Sequence, residues 1–354
     1  MTAMTMRERL LAILQGREVD RVPFIQYDGL AAPTAEIWSV LGRNNLGIVR
    51  WCGTHRAETP HCKTTSEEFT RDGLKGVRNT LHTPAGDLVE EKLIEPTYGT
   101  GSTKKHYIKD PGDYAILAAY LRDMVISDNS EGLLKVMAEI GDDGLPHAAV
   151  PRTPYQQLWI QWVNLEDLTY HLADCPERVE ECVELMNGHF QRIFEIVAKS
   201  PVPYICFPDN ITAPAIGVSN FEKYCVPLYR HMADMLAESG RLIFVHMDGN
   251  LKALWNAIGK SGVSGLDSLS PPPDNDTSAA QAAGMWPWMR IFLNYPSSVH
   301  IMPDAVIRET TERILAGAGH TGRMTIQISE NVPPGVWRRS FPIIAGAIED
   351  FGRP

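Results

Sequence analysis

From about residue 145 to the C-terminus, short apolar runs alternate with longer amphipathic stretches, and few folds satisfy such a pattern. The apolar runs are 147–150, 203–207, 241–246, 265–269, 290–293 and 324–328. They are rich in Ile, Leu, Val and Phe, the composition of strands buried on both faces. The helical patterns between them carry their own stop and start signals. Residues 221–239 run into Gly240, 251–260 into Ser261-Gly262, and 303–316 open on proline and run into Gly317; 338–351 close the chain. Strand, helix, strand repeated in this way builds parallel strands with right-handed crossovers. Adding 24–27 and 47–51 brings the total to about eight strands, enough to close a (β/α)8 barrel, the TIM-barrel architecture. A doubly wound open sheet would call for a GxGxxG turn after an early strand, and the sequence has none.

A helical N-terminal extension precedes the first strand. Residues 76–93 break the alternation: β-type periodicity surrounds Pro84-Ala85-Gly86-Asp87, a turn signal, and predicts a β-hairpin inserted early in the barrel. Residues 99–105 read as a polar loop, 113–124 as a helix, and 270–276 as a rigid surface turn. With no internal repeat, low-complexity tract or interdomain linker, residues 1–354 are expected to form one domain, within the size range of barrels with insertions.

Composition narrows the function classes. A hydrophobic fraction of 44% with 21% charged residues suits a large core. The formal charge of −10 argues against a nucleic-acid partner, which needs a basic face. No window approaches the ~18 apolar residues of a membrane span, and Leu10–Leu14 is too short for a signal sequence. Cys52, Cys62, Cys175, Cys182, Cys206 and Cys225 are scattered without a CxxC, as reduced thiols of a cytoplasmic protein would be.

In a barrel of this kind the active site forms where strands run out into loops at their C-terminal ends. Polar groups recur there: Tyr27 and Asp28, Asp209 and Asn210, His246, Asp248, Asp267, Asn294 and, further on, His300 and Glu330. Buried carboxylates are costly unless paired or metal-bound, so convergence of several on one mouth points to a site. Each has an ordinary alternative. Asp209 and Asp267 could cap helices, Asp28 could make a turn with Gly29, Glu330 could be a loop residue, and His300 reads as solvated or as backing the site. His246-Met247-Asp248 is the sharpest local feature, because side chains at i and i+2 of an extended segment point the same way. A histidine and a carboxylate so placed can share a cation or form an acid/base pair.

Two segments carry a resemblance. Arg7-Glu8-Arg9-Leu10-Leu11-Ala12-Ile13-Leu14-Gln15-Gly16 followed by Asp20-Arg21-Val22-Pro23 resembles the opening of uroporphyrinogen decarboxylase-like proteins, a superfamily that includes the corrinoid-dependent methyltransferases. Phe244 to Asn250 resembles the HxCGN segment of those methyltransferases. Two departures matter. The arginine-rich MRQAGR-like stretch of true uroporphyrinogen decarboxylases is replaced by Gln26-Tyr27-Asp28-Gly29-Leu30-Ala31-Ala32, which excludes uroporphyrinogen as the expected substrate. The zinc methyltransferases bind their metal through the His and Cys of HxC and a distal Cys; here Asp248 replaces the first Cys, and the late loop offers Glu330.

The resemblance therefore implies His246, Asp248 and Glu330 as ligands of a divalent cation, Zn2+ foremost, in a harder site than two thiolates would make. It implies a methyltransferase of the O-demethylase type. A small methylated compound, a methoxylated aromatic foremost, would give its methyl group to a corrinoid (cobalamin) carried by a partner protein, since the chain has no DxHxxG corrinoid motif. His246, Asp209 and Asp28 are the expected catalytic groups. Tyr27, Tyr98, Arg152, Tyr204, Asn210, Asp267 and Asn294 are expected to line the substrate site, with Trp51 as a further aromatic wall. A homodimer is the family-based expectation. Two rivals stand beside this reading. One is a metal-independent decarboxylase or lyase using Asp28, Asp209 and His246, with Arg152 on a substrate carboxylate. The other is a non-catalytic binding subunit.

Overall fold

The computed structural model describes residues 3–354. Eight parallel strands close into a barrel. In chain order they are β1 Phe24–Tyr27, β2 Gly47–Gly53, β3 Gly144–Ala149, β4 Tyr204–Phe207, β5 Leu242–His246, β6 Gly265–Leu269, β7 Arg290–Asn294 and β8 Met324–Ile328. Each pairs with its neighbour in sequence order, and β8 closes the ring on β1 through Phe24↔Ile326 and Ile25↔Gln327. The barrel thus has the (β/α)8 form expected from the alternation. Among the described residues no helix is long and apolar enough to cross a membrane.

Two compact units make up the chain. The first, residues 1–54, 129–151 and 197–354, holds all eight barrel strands; the second comprises 55–128 and 152–196. In the first unit the N-terminal helix Met6–Gln15 opens with a Thr5/Glu8 capping box and stops at Gly16 in the left-handed region. Its buried Arg9 makes a two-pronged ion pair with Asp20, at 2.6 and 2.9 Å. That pair ties together the two halves of the N-terminal signature. Met6, Leu10, Ile13 and Leu14 pack with the inward side chains Ile25, Val49, Leu145, Phe244 and Phe292, filling the barrel beneath its C-terminal mouth.

Two glycines are required by contact. A Cβ on Gly265 would lie 2.4 Å from the Phe244 ring, and one on Gly144 would lie 1.7 Å from the Ile48 carbonyl oxygen. These positions let Phe244 span the interior and let β2 and β3 pair closely.

The second unit corrects two readings of the sequence. The hairpin pairs Leu74–Thr83 with Gly86–Ile94 as expected, but it sits within a four-stranded antiparallel sheet completed by Lys63–Arg71 and Gly101–Lys105. The last of these, expected as a polar loop, is a short lysine-bearing edge strand, which needs no apolar face. The helices Leu165–Asp174 and Pro176–Lys199 are additional to the elements read from the sequence.

In the first unit, Gly317 does not end its helix. Asp304–Ala318 runs through it, and the close approach of Ala280 favours glycine there, since a Cβ would lie 3.0 Å from the Ala280 nitrogen. The stretch 221–239 is not one regular helix but a π-helical turn, Phe221–Cys225, leading into Val226–Leu236. His300 is not solvated. It is fully buried, 2.9 Å from Ser340 Oγ and against the rings of Tyr295 and Phe341.

Candidate active site

Side-chain alternation along each strand builds the mouth. The inward apolar layer contains Ile25, Val49, Leu145, Tyr204, Phe244 and Phe292. Two residues further along the same strands come Tyr27, Trp51, His147, Cys206, His246 and Asn294, on the same side by the two-residue period. Asp267 follows Gly265 in the same relation. The layer beneath is aromatic, with ring centroids of Tyr204, Phe244 and Phe292 4.8–5.8 Å apart.

His246 is the centre. Its Nε2 is 3.5 Å from Asp248 Oδ2 and 4.0 Å from Glu330 Oε1. Its Nδ1 is 2.8 Å from Asp267 Oδ2. The loop after β5 is held close to the loop after β4, since a Cβ on Gly249 would lie 2.2 Å from the Thr212 side chain. This approach lets Asn210, itself in the left-handed region, donate to Asp248 Oδ2 at 3.0 Å. Asn275 donates to the Asp248 carbonyl at 2.6 Å, so the 270–276 segment is not only a surface turn but braces the metal-ligand candidate.

Asp267 is fully buried and surrounded by donors. Tyr27 OH lies 2.6 Å away, Gln327 Nε2 3.2 Å and His147 Nε2 3.4 Å. It is therefore neither a helix cap nor an exposed substrate contact. His147, Cys206 and Asp267 form a second, wholly buried group of ligand-type atoms, and His147 Nδ1 is 2.9 Å from Tyr204 OH. Ser268 donates to Ser329 Oγ at 2.6 Å, and Ser329 in turn bonds Asn294 Oδ1 at 3.0 Å.

Charge at the site is strongly coupled. Burial lowers the His246 pKa, but Asp248 and Asp267 outweigh it and push it up to about 10. Burial raises both aspartates. His246 brings Asp248 below its ordinary value, and His147 with His246 holds Asp267 well below the carboxylate range. Glu330 is pushed up to about 7 by burial, with Asp248 and Asp267 adding to the rise. Tyr27 and the Cys206 thiol are raised by burial and by Asp267.

The donor set fits a divalent cation. One imidazole nitrogen and two carboxylate oxygens, all within 4.8 Å of one another, are ligands that Zn2+ accepts. Metal–ligand bonds of about 2.1 Å in a tetrahedron place ligand atoms about 3.4 Å apart. The His246–Asp248 separation of 3.5 Å matches, and the 4.0 Å to Glu330 is somewhat wider. The Glu330 side chain is 40% exposed, so the site opens to solvent on that side.

A pH dependence follows for the metal-free protein. His246 is raised from 6.5 to about 10, so its stabilisation is complete below pH 6.5 and is lost as pH rises through about 10. Glu330, raised from 4.5 to about 7, favours the protonated fold, so stability also falls as pH climbs through that interval. Burial lowers His55 and His300 to about 4, and these act in the opposite sense below pH 6.5, so urea midpoints in chelator are expected to decline from about pH 7 to about pH 10. A divalent cation held by His246 and Glu330 would have to displace their protons, so its apparent affinity would rise over the same range. Flat profiles for both would show that the three side chains do not share one site.

The other expected residues are distributed. Asp28 accepts from Thr34 and forms an ion pair with Arg50 at 2.7 Å. Asp209 is buried under the Tyr229 hydroxyl. Tyr27 and Trp51 meet edge-to-face at 5.1 Å, and Trp51 keeps part of its ring in solvent. Tyr98 and Arg152 belong to the second unit, Tyr98 on an exposed turn and Arg152 just after β3. His147, Gln327, Ser268 and Ser329 went unread in the sequence. For the first two, the signal was the two-residue period applied to His246 and Asp248.

A family model for uroporphyrinogen decarboxylase matches residues 161–337, a stretch that contains His246, Asp248, Asp267 and Glu330. Among solved structures, the chain is similar to a methyltransferase from Methanosarcina mazei, with a TM-score of 0.61, 14% identity, and 98% of this chain and 99% of that chain covered. A weaker likeness, TM-score 0.46 and 10% identity over 92% and 97% of the two chains, is to a B12-independent methionine synthase from a Shewanella species in complex with selenomethionine. At such identities the first likeness speaks to the fold. No curated protein matches the chain.

Proposed function

The chain belongs to the uroporphyrinogen decarboxylase family, and from that premise we propose that it is a methyltransferase moving a methyl group from a small methylated compound, a methoxylated aromatic foremost, to a separate corrinoid protein. The observation that carries the reading is the His246–Asp248–Glu330 donor set at the C-terminal mouth of the barrel. A bound divalent metal would supply Lewis acidity to the departing oxygen. His246 Nε2 and the carboxylates of Asp248 and Glu330 would hold it, with Asn210 and Asn275 fixing the Asp248 segment. Two hard carboxylates in place of two thiolates favour an oxygen ligand over an acceptor thiol, which points to the demethylating half of such systems. Tyr27 and Trp51 offer an edge-to-face aromatic wall beside His246 for the substrate ring. In such a transfer the methyl C–O bond would break with its electron pair left on oxygen, and a reduced corrinoid on the partner would supply the electron pair of the new bond to the methyl carbon.

The test is incubation of the zinc-loaded protein with a panel of methoxylated aromatics and reduced cobalamin, following release of the phenol. Phenol release that requires both protein and reduced cobalamin is expected. If none is released while small carboxylates lose CO2, the metal-independent decarboxylase reading takes its place.

A further inference from the structure

The proposed metal uses one nitrogen of His246, and the other nitrogen is engaged elsewhere. Nδ1 is 2.8 Å from Asp267 Oδ2, whereas Nε2 faces Asp248 and Glu330. An ionised carboxylate only accepts hydrogen bonds, so the proton belongs on Nδ1, and a neutral imidazole then carries its lone pair on Nε2. Resting on the metal reading above, we infer that Asp267 is a positioning residue: it holds His246 in the Nδ1–H form and turns Nε2 toward the cation.

Asp267 is itself fixed in place by its surroundings. Oδ2 accepts from Tyr27 OH at 2.6 Å, and Oδ1 accepts from Gln327 Nε2 at 3.2 Å. His147 approaches Oδ2 at 3.4 Å and is in turn braced by Tyr204. The backbone is also shaped for the task. The β6–β7 register shifts between Leu266 and Leu269, and Ser268 takes φ 59°, a left-handed conformation that a non-glycine residue adopts at a cost. Such a bulge re-aims the side chains around it, and the Ser268 side chain is tied down on Ser329. An aspartate that only filled the interior would need neither the bulge nor a carboxylate, since an apolar residue of like volume would avoid burying a charge. Removal of a carboxylate that orients a metal-ligating histidine typically costs 10–100-fold in metal affinity.

The experiment measures zinc affinity by competition with a chromophoric chelator, alongside 15N spectra of histidine-labelled, zinc-loaded protein. In the wild type, His246 is expected to show a ligated Nε2 and a protonated Nδ1. Asp267→Asn is expected to bind zinc about 10–100-fold more weakly and to lose that single ring form. Tyr27→Phe keeps the carboxylate but removes one of its donors, and a smaller loss in the same direction is expected. Folded Asp267→Asn with wild-type affinity and an unchanged His246 spectrum would overturn the inference, as would ligation through Nδ1. If Asp267→Asn does not fold, unchanged affinity in both Tyr27→Phe and Gln327→Leu overturns it. Wild-type protein that takes up no zinc defeats the metal reading itself, an outcome distinct from normal zinc binding in Asp267→Asn.

Discussion

His246→Ala is expected to empty the barrel mouth of zinc and to lower methyl transfer by at least about 10²–10³-fold, the usual cost of losing electrostatic stabilisation at a reacting centre. The imidazole is the one neutral donor of the proposed set, with Asp248 at 3.5 Å and Glu330 at 4.0 Å from its Nε2. Without it, the Asp248, Glu330 and Asp267 carboxylates lose the imidazole that lies among them, and Asn210, Gln327 and His147 remain at the edges of the group. Elemental mass spectrometry on wild type and variant, with circular dichroism to confirm folding, reads the first half of this expectation; phenol release reads the second. Near-stoichiometric zinc lost in the variant is the expected pair. Wild-type turnover in a folded variant would remove His246 from the chemistry. Metal absent from both proteins, after expression in zinc-supplemented medium, would turn attention to acid/base chemistry by His246 and its carboxylates.

Phe244→Ala is expected to cost about 3–5 kcal/mol of stability, the range for removing a buried phenylalanine ring. Phe244 is fully buried, with Tyr204 at 5.0 Å and Phe292 at 4.8 Å between ring centroids, and Gly265 leaves the space its ring fills. The residue lies two positions before His246 on β5, so the cavity opens directly beneath the site. Urea unfolding measures the effect through the midpoint at constant slope. A loss below about 1 kcal/mol would mean that the interior layer is not closely packed.

Much of the architecture was legible in the residues. The apolar runs of β4 to β8 are buried on both faces and flanked by polar stretches, so composition and spacing both mark them. The Lys63–Arg71 strand could not be read that way. Its residues are almost all exposed, and it forms by pairing with Leu74–Thr83 rather than by burying a face. The same holds for Gly101–Lys105 at the other edge. Gly317 misled for a different reason, since a glycine that ends a helix and one that admits a neighbouring backbone look alike in sequence.

At the site, the HxD spacing and its place at the end of an apolar strand put His246 and Asp248 on one side of β5, because the two-residue period of an extended chain is a local property. Local rules stop there: the aromatic layer of Tyr204, Phe244 and Phe292 was not read, Tyr204 being expected in the substrate site instead. Such rules could not say which distant carboxylate would meet which nitrogen. Glu330 on Nε2, Asp267 on Nδ1, and Asp28 turned instead onto Arg50 all depend on side chains far apart in sequence. Barrel closure and the bulge at Ser268 bring those side chains together, and both arise from the packing of eight strands rather than from any one segment.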